Sequence, residues 1–161
     1  MTSEAVSMAS SKVTHSLPKS VTKKNSSKGT VTEKTYPDGR KEICYSNGNR
    51  KELSADGQTT RVLYYNGDVK EMHAGSQGLV KYFYSQTKTW HHTYPDGKEV
   101  LQFSNGQEEV RYPSGEMEIS FSDGSNKKIG RDGSEDITFP DGTHVRISSN
   151  GDRYGHYQVL K

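Results

Sequence analysis

Apolar and aromatic residues return on a nine-residue beat between Tyr94 and Gly151, each beat marked by a glycine: Gly97, Gly106, Gly115, Gly124, Gly133, Gly142 and Gly151. Written in phase, the units read YPDGKEVLQ, FSNGQEEVR, YPSGEMEIS, FSDGSNKKI, GRDGSEDIT, FPDGTHVRI and SSNGDRYGH. Asp-Gly and Asn-Gly between alternating segments signal hairpin turns, because glycine accepts the positive φ that such turns need. Pro-Asp-Gly suits a type I turn closed by a glycine in a G1 bulge. Each unit therefore predicts one strand of about 6 or 7 residues and one tight turn, and the series predicts an antiparallel meander. Matching equivalent positions across strands predicts a central row of Leu101, Val110, Ile119, Lys128, Ile137 and Arg146, with Phe103, Tyr112, Phe121 and Phe139 on the same face. Gln107, Glu109, Arg111, Glu116, Glu118, Ser120, Lys127 and Asp136 are expected on the opposite, solvated face.

The rest of the chain follows the same rule with two breaks. Residues 1–29 are rich in Ser, Lys and Thr without a period and are expected to be a disordered tail or linker, leaving 30–161 as one β-sheet domain. Gly39, Gly48 and Gly57 keep the beat, whereas Tyr64-Tyr65-Asn66-Gly67 arrives one residue late and predicts a bulge in the strand after Gly57. Between Gly67 and Gly97 the period fails, and strands are expected at 68–73, 79–84 and 89–94 with turns at 74–78 and 85–88. Aromatic residues are densest there, which is read equally as a binding site or as insertions in loops. A last strand, 152–160, is expected either as an exposed edge or paired with residues or molecules outside this sequence.

Composition narrows the architecture. Hydrophobic residues are 29% of the 161, below the roughly 45–50% apolar share of globular chains. With Lys128 and Arg146 breaking the predicted row, the fold class expected is all-β: a long, single-layer antiparallel meander with water on both faces. A net charge of +2 with interleaved signs gives no basic patch for nucleic acid. One cysteine, Cys44, supports no disulfide framework and fits a reducing compartment. No apolar run approaches the roughly 20 residues of a membrane helix, and no signal peptide is seen, so an intracellular protein is expected.

Catalytic and metal chemistry find little support. His91 and His92 are adjacent in a strand and so point to opposite faces, and no Cys or carboxylate group stands at ligand spacing. Cys44 shows no sign of activation, and the carboxylates are spread along a sheet that offers no obvious pocket. The calcium-binding nonapeptide β-roll shares the period but needs several glycines and an Asp after them, whereas here the acid precedes a single glycine. No catalytic residue, metal or cofactor is expected, and the protein is not expected to be an enzyme.

The segments YPDGRKEICYSNGNRKELSADG, YYNGDVKE, YPDGKEVLQFSNGQEEVRYPSGEMEISFSDG and FPDGTHVRISSNGD resemble the G-box, or T-complex protein carboxy-terminal domain, of the centrosomal P4.1-associated protein family of centriole-assembly scaffolds. The resemblance implies a free-standing sheet in the cytoplasm, at the centrosome and centriole. It also implies a ligand, a proline-rich segment of a STIL (anastral-spindle) class centriolar protein, contacted by Glu109 of the Gly-Gln-x-Glu unit, by Tyr82 and by the Tyr64-Tyr65 pair. A polyproline segment crossing the strands from Tyr64 or Tyr65 to Glu109 would pass Tyr82 or Tyr84 midway, so Tyr84 joins the expected site. The alternative is a self-associating spacer joined edge to edge, whose aromatics serve only cross-strand packing.

Overall fold

The computed structural model describes residues 17–27, 29–76 and 78–156, which form a single open sheet of 15 strands in chain order, neighbouring strands antiparallel. The strands are β1 (Ser20–Ser26), β2 (Gly29–Thr35), β3 (Lys41–Tyr45), β4 (Arg50–Leu53), β5 (Thr59–Leu63), β6 (Val69–His73), β7 (Leu79–Tyr84), β8 (Thr89–Thr93), β9 (Glu99–Gln102), β10 (Glu108–Arg111), β11 (Met117–Ser120), β12 (Asn126–Ile129), β13 (Glu135–Thr138), β14 (His144–Ile147) and β15 (Arg153–His156). Between β6 and β7 lies a short 3-10 turn, Ala74–Ser76.

In β9–β15 the nine-residue beat divides into four strand residues and five turn residues. After β2, the Tyr36 N–H donates to the Arg40 carbonyl at 2.9 Å and the Gly39 N–H to the Tyr36 carbonyl at 3.0 Å. The Asp38 carboxylate accepts from the Arg40 N–H at 3.1 Å, and Asp96, Asn105, Asp123, Asp132 and Asp141 repeat the arrangement. An acceptor side chain two residues before that amide closes an Asx turn, which is why an acid or amide stands before the glycine. The strands are thus shorter than the expected 6 or 7 residues, because the turn consumes the difference.

The turn also corrects the predicted register. Gln102 pairs with Glu108 across five residues, so Leu101 faces Glu109 and Glu109 faces Ile119. Side chains alternate with period two while the repeat advances by nine, so equivalent positions of successive units fall on opposite faces. The expected row is split. One face carries Leu101, Glu109, Ile119, Lys127, Ile137 and Val145, and the other Val100, Val110, Glu118, Lys128, Asp136 and Arg146. Tyr112 accordingly lies opposite Phe103, Phe121 and Phe139, and Gln107, Glu109, Arg111 and Lys127 lie opposite Glu116, Glu118, Ser120 and Asp136.

The late Gly67 corresponds to a bulge at the start of β5. Ser54 N–H donates to the carbonyl of Thr59 at 2.9 Å, so Gln58 and Thr59 fill the place that one residue takes in the other turns. The expected tail is corrected in part: Ser20–Ser26 is a strand, paired with β2 from Ser20 with Thr35 to Ser26 with Gly29. Val21 and Thr22 favour extended backbone, and the open edge of β2 supplies ladder partners that composition alone does not reveal. Residues 1–16 and 28 of that expected tail lie outside the described residues.

Both faces are open to water. Among the described residues Val100, 9% exposed, is the one buried apolar side chain, and no side chain is fully enclosed.

Candidate functional site

The register brings Tyr64, Tyr82, Tyr84 and Glu109 to one face, here called the tyrosine face. Its central row runs Val62, Lys70, Tyr82, His91, Leu101, Glu109 and Ile119 across β5–β11. Tyr82 and Glu109 stand in that row three strands apart, about 14 Å at 4.8 Å per strand. Tyr82 is the hub of an aromatic patch: its ring centroid is 4.7 Å from that of Tyr84 and 6.0 Å from that of Tyr64.

Asp68 holds the patch in place. Its carboxylate accepts from the Ser85 N–H at 2.8 Å, the Tyr82 hydroxyl at 3.0 Å and the Asn66 amide at 3.0 Å. These donors favour the charged form, the Ser85 N–H most of all, and hold the Asp68 carboxyl below the usual carboxylate range. Tyr82 moves the other way: burial first, then its bond to the Asp68 carboxylate, push the phenol up to about 12. Tyr65 stands apart from the stack, on the turn tip and 79% exposed, with its N–H donating to the Asn49 side chain at 3.0 Å.

Glu109 is not the free surface carboxylate that its sequence suggests. Its side chain is only 15% exposed and already accepts from Gln107 Nε2 at 3.0 Å and Arg111 Nη2 at 2.9 Å, both on its own strand segment. The three form a preset carboxylate–guanidinium pair braced by the Gln107 amide. His91 and Leu101 lie between Tyr82 and Glu109, and His91 Nε2 is 3.6 Å from Glu99. Sequence reasoning missed Asp68, His91 and Leu101 as site residues. For Asp68 the available signal was an acid directly after Asn66-Gly67, where most units carry Arg, Gln, Lys, Ser or Thr.

A second row runs along one edge of the same face, where the turns after β3, β5, β7, β9, β11 and β13 lie. It places Tyr45, Tyr64, Tyr84, Phe103, Phe121 and Phe139 on alternate strands, with Asn49, Asp68, Thr89, Gln107 and Ser125 between them. The intervening Thr89 and Ser125 are 7% and 6% exposed.

The other face carries Phe83, Trp90 and His92, with ring centroids 5.1 Å and 6.2 Å apart in sequence. Burial, the largest influence on it, lowers the His92 pKa. His91 and His92 do point to opposite faces. Along this face's edge the aromatic series is Tyr36, Tyr94 and Tyr112, with Ser54, Ala74, Gly130 and Ser148 in the aromatic position, and Arg40 and Lys98 lie over the rings of Tyr36 and Tyr94 at 4.8 Å and 4.2 Å. Cys44 donates to Glu42 at 3.2 Å, and burial, reinforced by that carboxylate, raises its thiol pKa, the reverse of activation.

This sheet matches solved structures closely. The TCP domain of Drosophila melanogaster SAS-4, in complex with a proline-rich motif of Ana2, is 43% identical, with a TM-score of 0.72 over 80% of this chain and 84% of that one. The chain belongs to the TCP, or G-box, domain family of the centrosomal P4.1-associated proteins. The TCP10 domain of Danio rerio CPAP, in complex with a peptide of Danio rerio STIL, is 44% identical, with a TM-score of 0.66 over 78% of this chain and 68% of that one. The family model of the T-complex protein 10 C-terminus matches residues 131–153, from the turn before β13 to the start of β15. Mouse centrosomal P4.1-associated protein is 46% identical over 77 residues, 48% of this chain, and the match spans 6% of that protein's length. The G-box is therefore a small part of its full-length relatives.

Proposed function

We propose that this G-box is a non-enzymatic centriolar scaffold module that binds a proline-rich segment of a STIL-class protein across its tyrosine face. One observation carries the reading: Tyr82 and Glu109 stand in a single row of one face, with Tyr64 and Tyr84 packed beside Tyr82. The fly domain bound to a proline-rich motif of Ana2 and the zebrafish domain bound to a peptide of STIL support it. Flat tyrosine rings accept proline rings at little entropic cost, since polyproline is already extended. The Glu109 carboxylate, held by Gln107 and Arg111, retains lone pairs for an arginine of the ligand. At about 3.1 Å per residue, the 14 Å from Tyr82 to Glu109 separates a ligand proline from that arginine by four or five residues.

Calorimetric titration with a proline- and arginine-rich segment of a STIL-class protein tests the reading. Saturable one-to-one binding that Tyr82→Ala weakens supports it, and the absence of heat and of any mobility shift refutes it. A second reading, edge-to-edge association as a structural spacer, draws on β15. That strand has no partner on its far side among the described residues and exposes Tyr154 at 61%.

A further inference from the structure

The edge row of the tyrosine face repeats its aromatics on every second strand, and two strand spacings come to about 9.6 Å. A polyproline helix has three residues per turn and rises about 3.1 Å per residue, or about 9.3 Å per turn. The two periods differ by about 0.3 Å per turn, so a ligand lying along this edge stays in phase for three turns within about 1 Å. We infer that the row is a ruler for proline: it selects an extended ligand with proline at every third position and makes Tyr45, Phe103 and Phe121 part of the peptide-reading surface. This rests on the peptide-binding reading above and fixes the ligand's spacing and footprint.

Three features support the assignment. Thr89 and Ser125 are small and almost fully covered, so at those two places no protruding side chain interrupts the row of rings. Asp68 is the one charged side chain among the residues between the rings, and its carboxylate is tied down by Ser85, Asn66 and Tyr82, so the rest of the track is uncharged and suited to a proline ring. The track is continuous with the proposed site, since Tyr64 and Tyr84 belong to both. The opposite face lacks such a track: its edge series is interrupted at Ser54, Ala74, Gly130 and Ser148, and cations sit over Tyr36 and Tyr94.

The test uses two synthetic peptides of identical composition with one arginine each, titrated into the whole domain by calorimetry. One has proline at every third position; in the other the same residues are rearranged so that no two prolines are three apart. The in-phase peptide is expected to bind about tenfold tighter, and Phe103→Ala to weaken it about fivefold while leaving the rearranged peptide unchanged. Phe103→Leu, which keeps apolar packing without a flat ring, is expected to weaken it similarly, and amide dispersion in NMR spectra confirms folding of both variants. Equal affinities for the two peptides, or isotherms of both Phe103 variants that superimpose on the wild type, overturn the ruler. If the peptides bind equally and Tyr82→Ala still weakens both, the ruler fails and the binding face stands. If neither peptide nor the STIL-class segment binds, both fall.

Discussion

Tyr82 and Asp68 set each other's charge and position, and so set the geometry of the aromatic patch. The tyrosine ring, rather than its hydroxyl, is the surface offered to proline. Tyr82→Ala is expected to weaken peptide binding by about 1–3 kcal/mol, the range for a truncated aromatic anchor, and Tyr82→Phe to stay within about twofold of wild type by calorimetry. The pH dependence follows from the same pair. Asp68 has a folded pKa below its unfolded value of 3.8, so its contribution is complete above that value and is lost as pH falls through the lower folded one. The turn acids Asp56, Asp123, Asp132 and Asp141 share the direction, each held down by hydrogen bonds within its own turn. Tyr82 has the opposite sense: its phenol is raised to about 12, so its contribution holds below 10.0 and is lost as pH climbs through 12. Thermal melts should therefore show a nearly constant Tm from neutral pH down to about 5 and a steep fall below about 4. A Tm that stays level down to pH 2 would contradict these assignments.

At the scale of elements, the turns do the specifying. Gly97 has φ 83°, and a Cβ there would meet Pro113 Cγ of the next turn along the edge at 3.0 Å. Gly115 has φ 91° and open space around it. Gly115→Ala is expected to cost about 1–2 kcal/mol, the left-handed penalty alone, and Gly97→Ala measurably more, because the proline must also move. Urea denaturation of the two variants checks the ordering; equal losses would remove turn-to-turn packing from the account. These glycines and the acid or amide before them made the strands from β2 onward, their order and the bulge after Gly57 legible in the sequence, whereas β1, in a stretch without the beat, was not. The face of each side chain was not, because it depends on whether the turn holds an even or odd number of residues, and DG or NG dipeptides fit both. For the same reason Tyr112 was placed with Phe103, and Glu109 opposite Leu101 and Ile119. Site residues marked by a family pattern, Tyr64, Tyr82 and Glu109, could be named without the faces. Asp68, His91 and Leu101 could not, since only the register places them beside the others.

Among the described residues the sheet is a ladder without an interior, so most of their side chains are available for contact, and no described strand lies beyond β1 or β15. If the outer strands join copies end to end, light scattering should show mass rising with concentration. Arg153→Pro in β15, where the register turns the backbone N–H away from β14 toward the open edge, should then abolish the rise and leave peptide affinity unchanged. A constant monomer mass for wild type would remove the spacer reading. The central claim is that one face, and not the sheet in general, recognises the proline-rich segment. Calorimetric titration of that segment into wild type, Tyr82→Ala, Glu109→Val and Tyr94→Ala tests it most directly, because Tyr94 is a tyrosine ring at the edge of the opposite face. The account predicts loss of affinity for the first two variants, with the Glu109→Val loss shrinking at high salt, and a wild-type isotherm for Tyr94→Ala. Superimposed isotherms for all four proteins, or a Tyr94→Ala loss as large as that of Tyr82→Ala, would contradict it.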